Sequence, residues 1–134
     1  MGAALHEIQH EGPQPGQPQH RWFQSDYFDV YLWYNGEGVL HRFELCYDRY
    51  GDEHALTWER GSHHLAHNAV GGGERFFGHG SAAILETAKR RPPENLAECF
   101  RAASEMLPEE VRESVLQIIA NAPFVNPHQS ISNG

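Results

Sequence analysis

Between Tyr27 and Arg60 the apolar and polar residues alternate with a period of two, which predicts strands with one dry and one wet face. Tyr-Phe-Asp-Val-Tyr-Leu-Trp-Tyr over 27–34 is dense in strand formers, and Asn35-Gly36 after it is the strongest short hairpin signal. A second strand is expected over 39–47. The turn around Asp48-Arg49-Tyr50-Gly51-Asp52 leads to a third strand over 54–60.

Charge pairing selects a register for these strands. A two-residue loop at Asn35-Gly36 sets Asp29 opposite Arg42, whereas a four-residue loop sets Asp29 against Glu44, an unfavourable like-charge pair. The shorter loop is therefore expected. A four-residue second turn puts Arg42 opposite Glu59, Phe43 opposite Trp58 and Leu45 opposite Leu56. This arrangement gives a core face of Phe28, Val30, Leu32, Val39, Phe43, Leu45, Leu56 and Trp58. The opposite face carries Tyr27, Asp29, Tyr31, Trp33, Arg42, Glu44, Cys46, Thr57 and Glu59, with an exposed charged row Asp29–Arg42–Glu59.

Helical spacing follows further along. Ser81 caps an expected short helix over 82–90, which Pro92-Pro93 ends. Asn95 with Glu98 resembles a capping box, opening a helix with a stripe of Leu96, Cys99, Phe100, Ala103 and Leu107. Pro108-Glu109-Glu110 starts a last helix carrying Val111, Val115, Ile118, Ile119 and Ala122, and Pro123 stops it. The expected fold is α+β: an antiparallel meander of three or four strands, then two or three helices packed on one sheet face. A fourth strand would lie around 73–78. Residues 1–20, rich in Pro, Gln and Gly, read as a disordered tail; 21–125 read as one domain and 126–134 as a flexible end.

Composition narrows the function classes. Eighteen acids against ten bases give a formal charge of −8, which opposes binding to nucleic acid and to anionic membrane. No run approaches the apolar length of a membrane span, and the first residues do not resemble a secretory signal, so a cytoplasmic protein is expected. Cys46 and Cys99 match no zinc or redox spacing and are expected as reduced, mostly buried thiols.

The leading functional expectation is a small non-catalytic binding or accessory domain. Tyr27, Asp29, Tyr31, Trp33, Arg42 and Glu59 form its candidate surface for a protein partner or for self-association, since aromatics and arginine anchor protein interfaces. The alternative uses the histidine-rich stretch 61–80. His63 and His67 are four apart and would share one side of a helical turn, with His79 or Glu74 as a third ligand for zinc or another transition metal. No cofactor is otherwise expected. The glycines at 71–73, 78 and 80 lack the Gly-Lys-Ser/Thr of a phosphate loop. His41 and His54, both placed on the core side, are weaker candidates for acid–base chemistry.

Overall fold

The computed structural model describes residues 4–8, 19–62, 65–70, 85–88, 91–121 and 124–125. Among these the chain forms one α+β unit. The strands are β1 His6–Glu7, β2 Gln19–Gln24, β3 Phe28–Tyr34, β4 Leu40–Tyr47, β5 His54–Glu59, β6 Leu65–Val70, β7 Leu85–Thr87 and β8 Phe124–Val125. The helices are α1 Leu96–Ala103 and α2 Glu109–Asn121. Strands β1 to β7 lie in sequence order, each antiparallel to the next, while β8 joins β6 in parallel. Six strands of three or more residues, β2 to β7, thus replace the three or four expected.

Three corrections account for the difference. Strand β2 begins at Gln19 and β1 lies at His6–Glu7, inside the stretch read as a disordered tail. Leu5 there is 1% exposed, and its N–H donates to the Ala103 carbonyl at 2.8 Å, fastening the N-terminal segment to the end of α1. Strand β6 occupies part of the expected loop, with Leu65, His67 and Ala69 pointing inward. Residues 85–87 form a strand where a helix was expected, because they pair with 68–70 of β6. Residues 82–84 and 89–90 of that expected helix, and the proposed strand at 73–78, fall outside the described residues.

The β4–β5 register is the one that charge pairing selected, with Arg42 opposite Glu59, Phe43 opposite Trp58 and Tyr47 opposite His54. Asp48 turns there at φ +60°, and a Cβ on Gly51 would lie 2.5 Å from its carboxylate. The β3–β4 register differs. Asp29 pairs with Cys46, and Trp33 pairs with Arg42, with a bulge at Trp33/Tyr34. The turn is longer than Asn35-Gly36. The Asn35 carboxamide oxygen accepts from the N–H groups of Glu37 at 2.8 Å and Val39 at 3.0 Å, and Gly38 supplies the left-handed residue at φ +80°. Val39 consequently sits exposed in the turn instead of in the core. The shift is by an even number of residues, so the paired residues from Phe28 to Trp33 and from Arg42 to Tyr47 keep their faces.

The helices cover the face carrying Phe28, Val30, Leu32, Phe43, Leu45, Tyr47 and Leu56. Leu96, Phe100, Val111, Val115, Leu116 and Ile119 join these in one core cluster. Leu116 takes an inward position that the expected stripe had not included. Asn95 makes no side-chain cap bond, so the expected capping box does not form. The end of α1 is held from the next helix instead: Arg112 donates from Nε to Ser104 Oγ at 3.0 Å and from Nη2 to the Arg101 carbonyl at 2.9 Å. At the other edge, Arg21 holds Glu7 through two bonds of 2.7 and 2.8 Å. The bond to Glu7 raises the pKa of Arg21, yet both groups are about a third exposed, so the pair contributes roughly 0–1 kcal/mol.

Candidate functional site

The sheet face turned away from the helices carries three rows of side chains, read across the strands. Row one is Gln24, Asp29, Cys46, Ala55 and Asn68; row two is Trp22, Tyr31, Glu44, Thr57 and Ala66; row three is His20, Trp33, Arg42 and Glu59. The expected charged row therefore splits. Arg42 and Glu59 are neighbours, while Asp29 lies two rows away.

Much of this face is dry. Asp29 and Glu44 are at most 1% exposed, Cys46 is fully buried, and Tyr31 and Trp33 are at 5% and 8%. The expectation of a wet surface fails at these residues. Burying a carboxylate requires donors, and Asp29 has them. Trp22 Nε1 and Gln24 Nε2 donate to Oδ1, the latter at 3.4 Å, and the Tyr31 hydroxyl donates to Oδ2 at 3.3 Å. The partner of Asp29 is thus built mainly from β2, not from Arg42. Glu44 faces Arg42 Nη2 at 3.4 Å and the Cys46 thiol at 3.9 Å, both on its own strand two positions away.

The aromatic rings form a ladder. Trp22 stacks on Tyr31 at 5.6 Å between centroids, and Tyr31 stacks on Trp33 at 6.1 Å. Arg42 closes it, its guanidinium carbon 4.6 Å from the centre of a Trp33 ring. Row three opens to solvent as it leaves β3: Trp33 is covered, the Arg42 side chain is 28% exposed and Glu59 is exposed. Beside it lies a cavity of about 150 Å³ lined by Arg42, Thr57, Trp58, Glu59, Ser62 and Ala66.

The remaining candidates fall elsewhere. Tyr27 packs against the helix-side core, edge-on to Phe28 at 4.9 Å, and does not join the ladder. His41 is exposed instead of lying on the core side, because the longer turn carries it out of the ladder. His63 and His79 lie outside the described residues. His67 sits on a strand, so the helical-turn geometry proposed for it with His63 does not apply. Its Nε2 is 2.7 Å from the Tyr47 hydroxyl, and its ring stacks on His54 at 5.0 Å, all three residues being buried. His54 Nδ1 lies 2.8 Å from the Asp52 carbonyl oxygen. Among the described residues no three of His, Cys, Asp and Glu are grouped to hold a metal. Both cysteines are buried and free, as expected.

Tyr47→Phe tests the structural part played by this histidine pair. It removes the hydroxyl from His67 inside the core and should lower unfolding free energy by about 1–3 kcal/mol. Urea titration at constant m-value measures it, and an unchanged midpoint would show that the bond contributes nothing.

Trp22, Glu44, Thr57 and Ser62 belong to the face without having been singled out as site residues. Glu44 and Thr57 were legible by alternation. Trp22 required β2, and Ser62 required the chain to turn back at Gly61, where φ is +95°. No family model, curated protein or solved structure matches the chain. No helix among the described residues is long and apolar enough to cross a membrane.

Proposed function

We propose that the chain is a non-catalytic binding domain that engages a protein partner, or a second copy of itself, through the open end of the outer sheet face. The observation carrying this reading is the end of the aromatic ladder, where Trp33 backs Arg42 beside an open cavity edged by Glu59. A guanidinium held flat on a buried indole has already lost much of its side-chain freedom. It therefore loses less entropy on contact, the property of an interface anchor. The cavity volume selects the class of ligand. At about 150 Å³ it is smaller than the roughly 300–1,000 Å³ that encloses a whole small-molecule ligand, and it suits one inserted side chain. The net charge of −8 further supports a protein partner over nucleic acid.

A photo-crosslinking residue at position 62, in the cavity lining with Glu59 left in place, tests the reading in extracts of the cells that make the protein, with one at Tyr50 as control. Tyr50 is 81% exposed in the β4–β5 turn, at the far end of the hairpin. A discrete adduct from position 62, absent from position 50 and reduced about tenfold by Arg42→Ala, is the expected result. No adduct, or equal adducts from both positions, would overturn it.

A further inference from the structure

We infer that the cavity receives the cationic head of a lysine or arginine side chain, with Glu59 as its counter-ion. This rests on reading the open end as the binding surface and names what that surface recognises.

The argument is a charge count at the cavity. Among the described residues Arg42 and Glu59 line the cavity, and the buried Glu44 lies behind Arg42. Arg42 directs Nη2 to Glu44 and lays its flat face on Trp33, so its charge and its ring-facing surface are both engaged from the dry side. Glu44 is buried, where screening by water is weak, and it compensates Arg42 more strongly than an exposed acid does. Glu59 stands opposite Arg42 in the ladder, yet the guanidinium makes its ion pair with Glu44. The Glu59 carboxylate has no hydrogen-bond or ion-pair partner among the described residues. With Arg42 paired to the acid behind it, Glu59 is the acidic group that the described lining presents on the exposed rim.

The neighbouring cation does not cancel it. Arg60 belongs to the opposite face. Its guanidinium carbon lies 5.7 Å from the centre of the Trp58 ring, and its Nε donates to the Leu40 carbonyl at 2.9 Å. The rest of the lining fits a donor-rich head group. Thr57 and Ser62 bring hydroxyl oxygens that can accept from an ammonium or guanidinium. An anionic occupant would meet an Arg42 already paired with Glu44, and would lie against the Glu59 carboxylate. The surrounding acidic surface draws cations toward the same place.

The test uses the full chain and a tetra-lysine peptide, with tetra-glutamate as the opposite-charge probe, and follows backbone amide resonances at low salt. Tetra-lysine should shift Thr57, Ser62 and Ala66 saturably. Glu59→Gln should weaken the affinity about fivefold or more, and Glu105→Gln, which removes the same charge from an exposed position after α1, should leave it unchanged. Equal loss in both variants would reduce the effect to general charge attraction and overturn the inference, as would stronger shifts with tetra-glutamate. The outcomes separate this inference from the reading beneath it. A partner crosslinked at position 62 through a segment without lysine or arginine overturns the cation site and keeps the interface. Local tetra-lysine shifts that depend on Glu59, with no crosslinked partner, uphold the cation site and remove the protein interface.

Discussion

Phe100→Ala should lower the unfolding free energy by about 3–5 kcal/mol, the largest effect expected of a single substitution in this chain. Phe100 is fully buried, and its ring meets Phe28 edge-on at 5.8 Å and 83°. Phe28 in turn meets Tyr27 edge-on, so the truncation opens a hole at the centre of the helix–sheet contact. Helix α1 has eight residues, too few to persist in water without tertiary support. Its other attachments are the Leu5 N–H at its last residue and Arg112 at the Arg101 carbonyl, and both need α1 seated on the sheet to reach it. A domain of this size is held by roughly 5–15 kcal/mol in total, so the variant should be marginal at 37 °C. Urea unfolding followed by the fluorescence of Trp22, Trp33 and Trp58 measures the change. A loss below about 1 kcal/mol would mean that α1 does not clamp the sheet. A smaller m-value would mean that α1 releases before the sheet unfolds.

Asp29→Ala should cost about 2–4 kcal/mol, because it removes the acceptor and leaves the donors. Trp22 Nε1, Gln24 Nε2 and the Tyr31 hydroxyl all converge on this carboxylate, which is 1% exposed. After truncation the indole N–H and the phenol face a gap where water has little access. Asp29→Asn keeps the shape and one acceptor oxygen, and it should recover about half of the loss. That graded order, wild type above Asn above Ala, identifies a structural carboxylate. Equal stability of all three would show that the cluster is not holding β2 to β3. The same series separates structure from binding, because Asp29 lies two rows from the cavity. Crosslinking at position 62 should survive Asp29→Asn whenever the variant is folded.

The two predictions concern opposite faces, and the difference between them shows where the sequence was informative. The helix stripes of Leu96, Cys99, Phe100 and Ala103, and of Val111, Val115 and Ile119, could be read because every position on them is apolar and the spacing repeats. The β4–β5 hairpin could be read because cross-strand pairing of Arg42 with Glu59 and of Leu45 with Leu56 agrees with turn length. The β3–β4 hairpin could not be read by the same charge rule. The rule sought a cation for Asp29 on the adjacent strand, while its donors come mainly from β2, a strand concealed behind a proline- and glutamine-rich start. Strand β6 stayed hidden for a related reason. One of its three inward residues is His67, which reads as polar until Tyr47 and His54 are seen to receive it.

Local pattern alone was sufficient to assign the α+β class, the two C-terminal helices and the faces of the paired residues within β3, β4 and β5, because side-chain alternation survives any register shift of even size. Tyr27, Val39 and His41, at strand ends and the bulge, escaped it. The tertiary structure decided which acids are buried, which are paired and which remain available. Those outcomes depend on which strands pair and in what register, and the spacing of residues within one strand does not encode that. Asp29 and Glu59 look equivalent in the sequence. Packing makes the first a support for β2 and leaves the second open at the rim of the cavity.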